Sequence, residues 1–288
     1  MSGVDRAGVP RPVVCLDLDR TVIYSAAALA LDVPDELAPR LLCVETYRAA
    51  PLSYMTERAA AMFLRLREAA TVVPTTTRTV AQLARVRLPG PPAPFAVAAN
   101  GGHLLIDGMP DPDWAERVRG RLAGVAPIDE VRAHLDAVSG PFVRTLRDAD
   151  AMFVYAVVDR DALPAGWVDD LAGWCAPRGW RVSLQGRKVY AVPLPLTKAA
   201  AAEEVRARCG GGTLFAAGDS LLDTDLLEAA DVAIRPAHGE LADTGWRRPH
   251  LTVTAARGVA AGEELVELLA TQVIPTDISV SGTLGAGA

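Results

Sequence analysis

Lysine is almost absent from the sequence: of its 29 lysine and arginine residues, only Lys188 and Lys198 are lysine. Codon bias is the simplest explanation, because the chain is also rich in alanine, glycine and proline. Cysteine is scarce too, and its four residues lie far apart, which excludes a CxxC zinc pattern and a dense disulfide framework. The cysteine pattern therefore predicts a cytoplasmic protein. The two lysines are unusual in this composition, so each is a candidate for a specific role.

Long apolar runs are also missing. Runs such as residues 26–31 and 151–158 have six and eight residues, whereas a membrane-spanning helix needs about 18. Residues 1–12 contain charges and prolines and lack the apolar centre of a secretory signal. The net charge of −6 disfavours a dedicated nucleic-acid binder, because such domains usually carry a basic surface that neutralises phosphates. The sequence thus predicts neither a membrane nor a nucleic acid as partner.

Four short apolar runs read as buried strands, and each is followed at once by polar residues. Helical periodicity separates the first run from the second, over about residues 55–70. Strands that alternate with helices indicate an α/β domain with a Rossmann-like parallel sheet, and in such sheets the site lies at the carboxyl ends of the strands. The four runs are residues 12–16, 71–74, 95–99 and 213–217.

Between the third and fourth runs the pattern changes to that of an α+β insert, which is large enough to be a small domain. Proline and glycine cluster at its edges. The tail, rich in small and polar residues without periodicity, is expected to be disordered. The predicted organisation is a flexible N-terminus over 1–11, a core domain over 12–102 and 193–270, an inserted domain over 103–192, and a disordered tail over 271–288. Within the insert, helices are predicted near 114–122, 128–138 and 167–177, a strand at 151–158, and a hairpin pairing 180–184 with 188–192.

Carboxylates follow two of the predicted core strands. Asp17 and Asp19 come directly after the first strand, and Asp219 and Asp223 follow the last, after a glycine turn. On one sheet edge these groups repel one another unless a cation neutralises them, and oxygen-only ligation suits Mg²⁺. The sequence therefore predicts a magnesium site.

A hydroxyl and a cation complement these acids. Thr76 and Lys198 are the kinds of groups that hold a phosphoryl group against a metal ion. In the predicted reaction, Asp17 attacks phosphorus to give an aspartyl phosphate, and Asp19 protonates the leaving oxygen and then activates water. Together these residues predict phosphoryl transfer.

These motifs resemble those of the haloacid dehalogenase superfamily, in the right order and over most of the chain. Residues 15–21, Cys-Leu-Asp-Leu-Asp-Arg-Thr, are similar to its first motif, Thr76 to the second, Lys198 to the third, and residues 218–223, Gly-Asp-Ser-Leu-Leu-Asp, to the fourth. The resemblance implies that Mg²⁺ is held by Asp17, the backbone carbonyl of Asp19, and Asp219, with Asp223 in support.

The spacing of the motifs implies a subgroup. The 122 residues from Thr76 to Lys198 place the insert between the second and third motifs, which is the C2 arrangement of the cap domain. The chain looks like the Cof-like, sucrose-phosphate and mannosyl-3-phosphoglycerate phosphatase group with its type IIB cap. In that group an Asn-Gly pair follows the third strand, and this chain has Asn100 and Gly101 there. Arg187 of this chain matches the segment that leads from the cap back to the core.

Several further residues are candidates for substrate contact. Arg20 stands where these phosphatases usually have glycine or another small residue, so a long side chain stands beside the nucleophile. The four candidates are Arg20, Asn100, Arg187 and Ser220. Residues 41–56 are predicted to form an additional hairpin, either a flap whose Glu45, Tyr47 and Arg48 contact substrate or a solvated surface element. Lys188, next to Arg187 on the predicted cap hairpin, has no predicted role. Interpretation as an ordinary surface residue is one reading, and Lys188→Arg should then cost little activity.

The predicted function is Mg²⁺-dependent hydrolysis of a phosphomonoester of a small polar metabolite, with a sugar phosphate as one candidate. Two alternatives stay open: a phosphomutase like phosphomannomutase, which would need a bisphosphorylated activator and release no phosphate, and a non-catalytic protein that binds a phosphorylated ligand. A receiver domain is excluded, because its ~120 residues leave no place for the insert. The four histidines lack metal-ligand spacing. The substrate, pathway and oligomeric state are not predicted.

Overall fold

The computed structural model describes residues 10–274. Most of the predicted flexible N-terminus, residues 1–9, and the predicted disordered tail from residue 275 onwards lie outside this part. The final helix runs to Val273, so the prediction of disorder is wrong for residues 271–273. That helix buries one face against the core through residues such as Leu265 and Leu269, and this packing carries it beyond the predicted boundary.

Fourteen strands occur in the described residues. In chain order they are β1 Val13–Leu16, β2 Leu41–Tyr47, β3 Ala50–Thr56, β4 Thr71–Pro74, β5 Phe95–Ala98, β6 His103–Ile106, β7 Met109–Pro110, β8 Val143–Ala149, β9 Phe153–Val158, β10 Trp180–Gln185, β11 Lys188–Pro193, β12 Leu214–Ala217, β13 Val232–Arg235 and β14 Leu251–Val253.

Nine α-helices connect or cover these strands in the same part of the chain. They are α1 Glu57–Ala69, α2 Val80–Leu83, α3 Pro112–Leu122, α4 Ile128–Ala137, α5 Trp167–Cys175, α6 Lys198–Arg208, α7 Thr224–Ala229, α8 Glu240–Asp243 and α9 Gly258–Val273. No helix in residues 10–274 combines the length and hydropathy that a membrane crossing needs.

The central sheet has the strand order β14-β13-β12-β1-β4, and every pairing in it is parallel. All four residues of β1 are almost fully buried because helices cover both faces, which explains why the strand reads as a continuous apolar run. β5 adjoins β4 through a parallel bridge between Thr75 and Val97 and heads a separate three-stranded sheet. The prediction of a parallel α/β core is confirmed.

The inserted segment folds around an antiparallel sheet of order β10-β11-β9-β8, with α4 and α5 packed against it. Its predicted hairpin forms between β10 and β11 across a turn at Gly186 and Arg187. β8 was not predicted, because its sequence, Val-Arg-Thr-Leu-Arg-Asp-Ala, is half exposed and has no apolar run. This architecture, a parallel core with an inserted α+β cap of the C2 type, agrees with the predicted fold class.

The predicted hairpin at residues 41–56 is present as β2 and β3. Its turn places Arg48 and Ala49 in the left-handed backbone region, with φ of 51° and 61°. The hairpin contacts α1 and α9, and Glu45 forms a backbone bridge to Val86. It is therefore packed onto the core against α1 and α9.

Candidate active site

Three buried carboxylates converge at the carboxyl ends of β1 and β12. Asp17, Asp219 and Asp223 each place an oxygen within 4.8 Å of the others. Asp17 is aligned by its own backbone N–H, which donates to Ala217 O across the two strands at 2.9 Å. Gly218 lets the chain after β12 pass close to Asp223, because a Cβ at position 218 would lie 2.4 Å from Cγ of Asp223. The parallel sheet thus brings the first and fourth motifs together.

Lys198 lies at the centre of this acidic cluster and has no exposed surface. Its Nζ is 2.6 Å from Oδ1 of Asp17 and also contacts Oδ1 of Asp223. Although burial disfavours the charged amine, these two carboxylates raise the pKa of Lys198 above its ordinary value. Thr197 caps α6 at this point, because its hydroxyl accepts from Ala200 N, so Lys198 is fixed as the first helical residue.

The negative charge of the buried acidic cluster is only partly neutralised by Lys198. Burial and then the neighbouring carboxylates of Asp17 and Asp223 raise the pKa of Asp219 well above its usual range. Burial also raises the pKa of Asp17, although the charge of Lys198 partly opposes it. A divalent cation that prefers oxygen ligands would offset both effects, so the donor set fits Mg²⁺.

The three carboxylates differ in how free they are to bind a cation. Asp223 uses Oδ1 for Lys198, and its Oδ2 accepts from the backbone N–H and the hydroxyl of Ser220 at 2.9 and 2.7 Å. Asp17 and Asp219 carry fewer such contacts, from Lys198 and the Thr21 hydroxyl in one case and from Arg20 in the other. The geometry therefore favours Asp17 and Asp219 as ligands, with Asp223 holding Lys198 and the Ser220 turn.

Asp19 is held by an arginine that the sequence analysis did not single out. Arg78 Nε and Nη2 each lie 2.7 Å from a carboxylate oxygen of Asp19, a bidentate pair. Desolvation alone would raise the pKa of Asp19, but the hydrogen bonds and charge of Arg78 lower it below its ordinary value. No local sequence pattern marks this contact, because Asp19 and Arg78 meet only through the packing of β1 against β4.

Two neighbouring threonines share the end of β4. Thr76 is fully buried, and its hydroxyl accepts from Arg78 N at 3.1 Å. Thr77 is partly exposed and lines the cavity above the acids. The assignment of the phosphate-binding hydroxyl to Thr76 stays a prediction, and Thr77 becomes a second candidate.

Arg20 and Asn100, both predicted to contact substrate, occupy different environments. Arg20 has a φ of 64°, a left-handed conformation that glycine adopts most readily, and its half-exposed side chain places Nε 3.4 Å from Oδ2 of Asp219. Asn100 is fully buried away from the cavity wall, and its Nδ2 donates to Leu196 O at 2.9 Å. The expected substrate contact of Asn100 is therefore replaced by support of the loop that leads to Lys198.

A cavity of about 1050 Å³ separates the acidic cluster from the cap. Its core wall includes Asp17, Asp19 and Ser220, so one further predicted residue, Ser220, lies at the site. The cap wall includes the predicted Arg187 and, unexpectedly, Lys188. The interpretation of Lys188 as an ordinary surface residue is wrong, because strand alternation turns its side chain toward the core while the backbone lies on the cap hairpin.

Glu45 does not line this cavity. It is fully buried in the hairpin, where its carboxylate pairs with Arg78 at 2.8 Å and Arg85 at 3.2 Å and accepts from the Ser53 hydroxyl at 2.7 Å. The hairpin is therefore neither a solvated surface element at this position nor a direct contact with the cavity. Glu45 connects to the site through Arg78 and Asp19.

Comparison with known proteins gives matches of structure alone. No protein-family model matches the sequence, and no curated protein does. Among solved structures, the sucrose-phosphatase of Synechocystis sp. PCC6803, in complex with sucrose and phosphate, has a TM-score of 0.61 at 14% identity, covering 93% of this chain and 98% of that one.

Two further structures match over most of their length. A subclass IIB sugar phosphatase of the haloacid dehalogenase superfamily has a TM-score of 0.55 at 10% identity, covering 91% of this chain and 100% of that one. A phosphatase of the same superfamily from Bacteroides thetaiotaomicron has a TM-score of 0.52 at 14% identity, covering 94% and 98%. With its parallel core, inserted antiparallel cap and motif order, the chain has the haloacid dehalogenase fold with a C2-type cap.

Proposed function

We propose that this protein is a Mg²⁺-dependent phosphatase that hydrolyses a phosphomonoester of a small polar metabolite through an aspartyl phosphate on Asp17. One observation carries the proposal: a fully buried ammonium, Lys198, contacts both Asp17 and Asp223, and Asp17 and Asp219 line a large cavity beside it. The sugar substrates named for the sucrose-phosphatase and the subclass IIB phosphatase make a sugar phosphate the first class to test.

The proposed reaction has two displacement steps. In the first, a carboxylate oxygen of Asp17 attacks phosphorus, the bond from phosphorus to the ester oxygen breaks, and Asp19 gives a proton to the leaving oxygen. In the second, water attacks the phosphorus of the aspartyl phosphate, Asp19 takes a proton from that water, and Asp17 and inorganic phosphate are released. Lys198 stays charged throughout and holds the phosphoryl oxygens.

Asp19 must be protonated for the first step and ionised for the second. Arg78 stabilises the ionised form in the described structure. Release of Asp19 from Arg78 would raise the pKa of Asp19 and so favour the acid form that the first step requires. Mg²⁺, when bound by Asp17 and Asp219, neutralises the carboxylates and polarises the phosphoryl oxygens.

The test is phosphate release from a panel of sugar phosphates and from 4-nitrophenyl phosphate, measured with Mg²⁺ and with EDTA. The wild type should release phosphate only with Mg²⁺, and Asp17→Asn should retain no more than about 0.1% of that rate, because the nucleophile is lost. Asp136→Asn, an exposed acid on the cap, is the matched control and should be fully active. Hydrolysis that survives Asp17→Asn contradicts the mechanism.

The same assay separates the alternatives. A phosphomutase would interconvert sugar phosphates with a bisphosphorylated activator and release little phosphate. A non-catalytic binder would retain phosphorylated ligands without turnover. Phosphate release that depends on Asp17 and on Mg²⁺ fits neither alternative.

A further inference from the structure

The cap wall of the cavity carries three cations: Arg160, Arg187 and Lys188, which we call the cap cation cluster. Other cap arginines form ion pairs, as Arg132 does with Asp129 and Asp148. Within residues 10–274, no member of the cap cation cluster forms one. Three cationic side chains thus border the cavity without an ion pair in the described part of the protein, although the charge of Asp19 still influences Lys188.

Backbone geometry gathers the cluster at one end of the cap sheet. Lys188 begins β11 opposite Val157 of β9, and Arg187 lies in the adjoining turn, where its carbonyl accepts from Val158 N at 2.8 Å. Arg160 follows β9, and its Nη1 donates to Gly186 O at 3.0 Å, which ties the two loops together. The three cations are therefore presented by neighbouring, hydrogen-bonded backbone segments.

Lys188 extends from this end toward the chemistry. Its Nζ lies 5.5 and 5.9 Å from the ring centroids of Tyr155 and Tyr190, so two buried aromatic faces stabilise the ammonium. Tyr190 and then Asp19 raise the pKa of Lys188, which keeps it charged. Lys188 therefore borders the same cavity as Asp19, the residue that would protonate the leaving group of a phosphomonoester.

The transferring phosphoryl group already has its own partners in the core. Lys198, the metal-binding carboxylates and the threonines at the end of β4 surround the position that it would occupy. A substrate bound there directs its leaving group toward the cap. The cations on the cap wall are therefore placed to bind a second negative charge, one carried by the leaving group and separate from the phosphoryl group.

We propose that the cap cation cluster binds a second anionic group, a carboxylate or a phosphate, on the leaving group of the substrate. This inference rests on the proposed phosphatase function and narrows its substrate class to phosphomonoesters with a second acidic group. The two arginines present planar guanidinium groups suited to paired hydrogen bonds with such an anion, and Lys188 adds a compact charge.

The experiment compares kcat/KM for matched substrate pairs that differ in the second acid. Glycerol 3-phosphate against 3-phosphoglycerate tests a carboxylate, and fructose 6-phosphate against fructose 1,6-bisphosphate tests a phosphate. We expect the wild type to prefer the doubly acidic member of at least one pair by about tenfold or more. Equal kcat/KM values within both pairs would overturn the inference.

Variants then assign the preference to the cluster. Lys188→Met should reduce the preference by about tenfold, and Lys188→Arg, which keeps the charge, should restore most of it. Arg132→Met is the cap control and should leave the preference intact. If Lys188→Met lowers kcat/KM equally for both members of a pair, Lys188 acts on the transferring phosphoryl group and the inference is wrong.

Failure of the proposed function gives a different result. In that case the folded wild type releases phosphate from none of these substrates, nor from 4-nitrophenyl phosphate, with Mg²⁺ present. That outcome overturns the phosphatase proposal and this inference together. Release of phosphate without any preference for a second acid overturns this inference alone.

Discussion

Lys198 has no contact with solvent, and its ammonium lies between two carboxylates at the start of α6. Asn100 and Gly101 support this arrangement from the turn after β5: Asn100 donates to Leu196 O, and a Cβ on Gly101 would lie 2.1 Å from Thr197 O. Little space therefore remains for a larger cation. The chain uses arginine almost everywhere else, but a planar guanidinium cannot take the place of this compact ammonium.

For this reason Lys198→Arg should lower phosphate release to about 1% of the wild type or less, although the charge is kept. The measurement is kcat with saturating Mg²⁺, together with a circular dichroism melt to verify folding. Lys188→Arg is the matched control, since it makes the same change at a partly exposed position and should cost far less for substrates with a single phosphate. Substantial activity in a folded Lys198→Arg protein would contradict the assigned role.

Thr76 and Thr77 can also be separated at the residue scale. The hydroxyl that binds the phosphoryl group should, when removed, raise KM and lower kcat/KM by about tenfold to a hundredfold. We therefore expect Thr77→Ala or Thr76→Ala, but not both, to have this effect with 4-nitrophenyl phosphate. If Thr76→Ala lowers Tm but leaves kcat/KM unchanged, Thr76 has a structural role and the phosphate contact belongs to Thr77.

At the scale of elements, the β2–β3 hairpin is joined to the core by charges and hydrogen bonds as well as by apolar packing. Glu45 pairs with Arg78 and Arg85, and Arg78 continues the network to Asp19. Removing one partner of a buried network leaves uncompensated charge, which costs far more than removing an exposed pair. The hairpin thus has a structural link to the proposed general acid.

Accordingly, Glu45→Gln should lower the free energy of unfolding by about 3 kcal/mol, as measured by urea denaturation. Glu57→Gln is the matched control, because Glu57 forms a largely exposed pair with Arg40, and its loss should cost less than about 1 kcal/mol. Similar small losses in both variants would show that the buried network contributes little to stability.

At the scale of the whole molecule, the acidic cluster joins the two chain segments that form the core on either side of the cap, since Asp17 follows β1 and Asp219 follows β12. A cation that binds only the folded chain stabilises it by mass action, by about 2.7 kcal/mol at a hundred times its Kd. Relief of repulsion among the buried carboxylates adds a physical reason for this linkage. The cap is tied to the same core by Ser183, whose hydroxyl donates to Glu240 at 3.2 Å.

We therefore expect millimolar MgCl₂ to raise Tm, and Asp219→Asn to abolish most of that rise. The comparison is thermal melting with MgCl₂ against NaCl of equal ionic strength, so that general screening is removed. An equal rise in the wild type and in Asp219→Asn would place the ion elsewhere.

The sequence by itself determined the parallel α/β core, the inserted cap, and the meeting of Asp17 and Asp219. These follow from local signals: short apolar runs form buried strands, and parallel strands bring their carboxyl ends to one edge. The order and spacing of the motifs then placed the cap between Thr76 and Lys198. Each of these inferences needs only the direction and order of the elements.

Only the tertiary structure decided which side chains complete the site. Arg78 forms hydrogen bonds with Asp19, and Glu45 of a separate hairpin forms an ion pair with Arg78. Lys188, on the cap hairpin, lines the cavity. Asn100, in contrast, turns away from the cavity to hold the loop before Lys198. Local sequence cannot fix such contacts, because the direction of a side chain depends on register, strand alternation and the packing of elements that lie far apart in the chain.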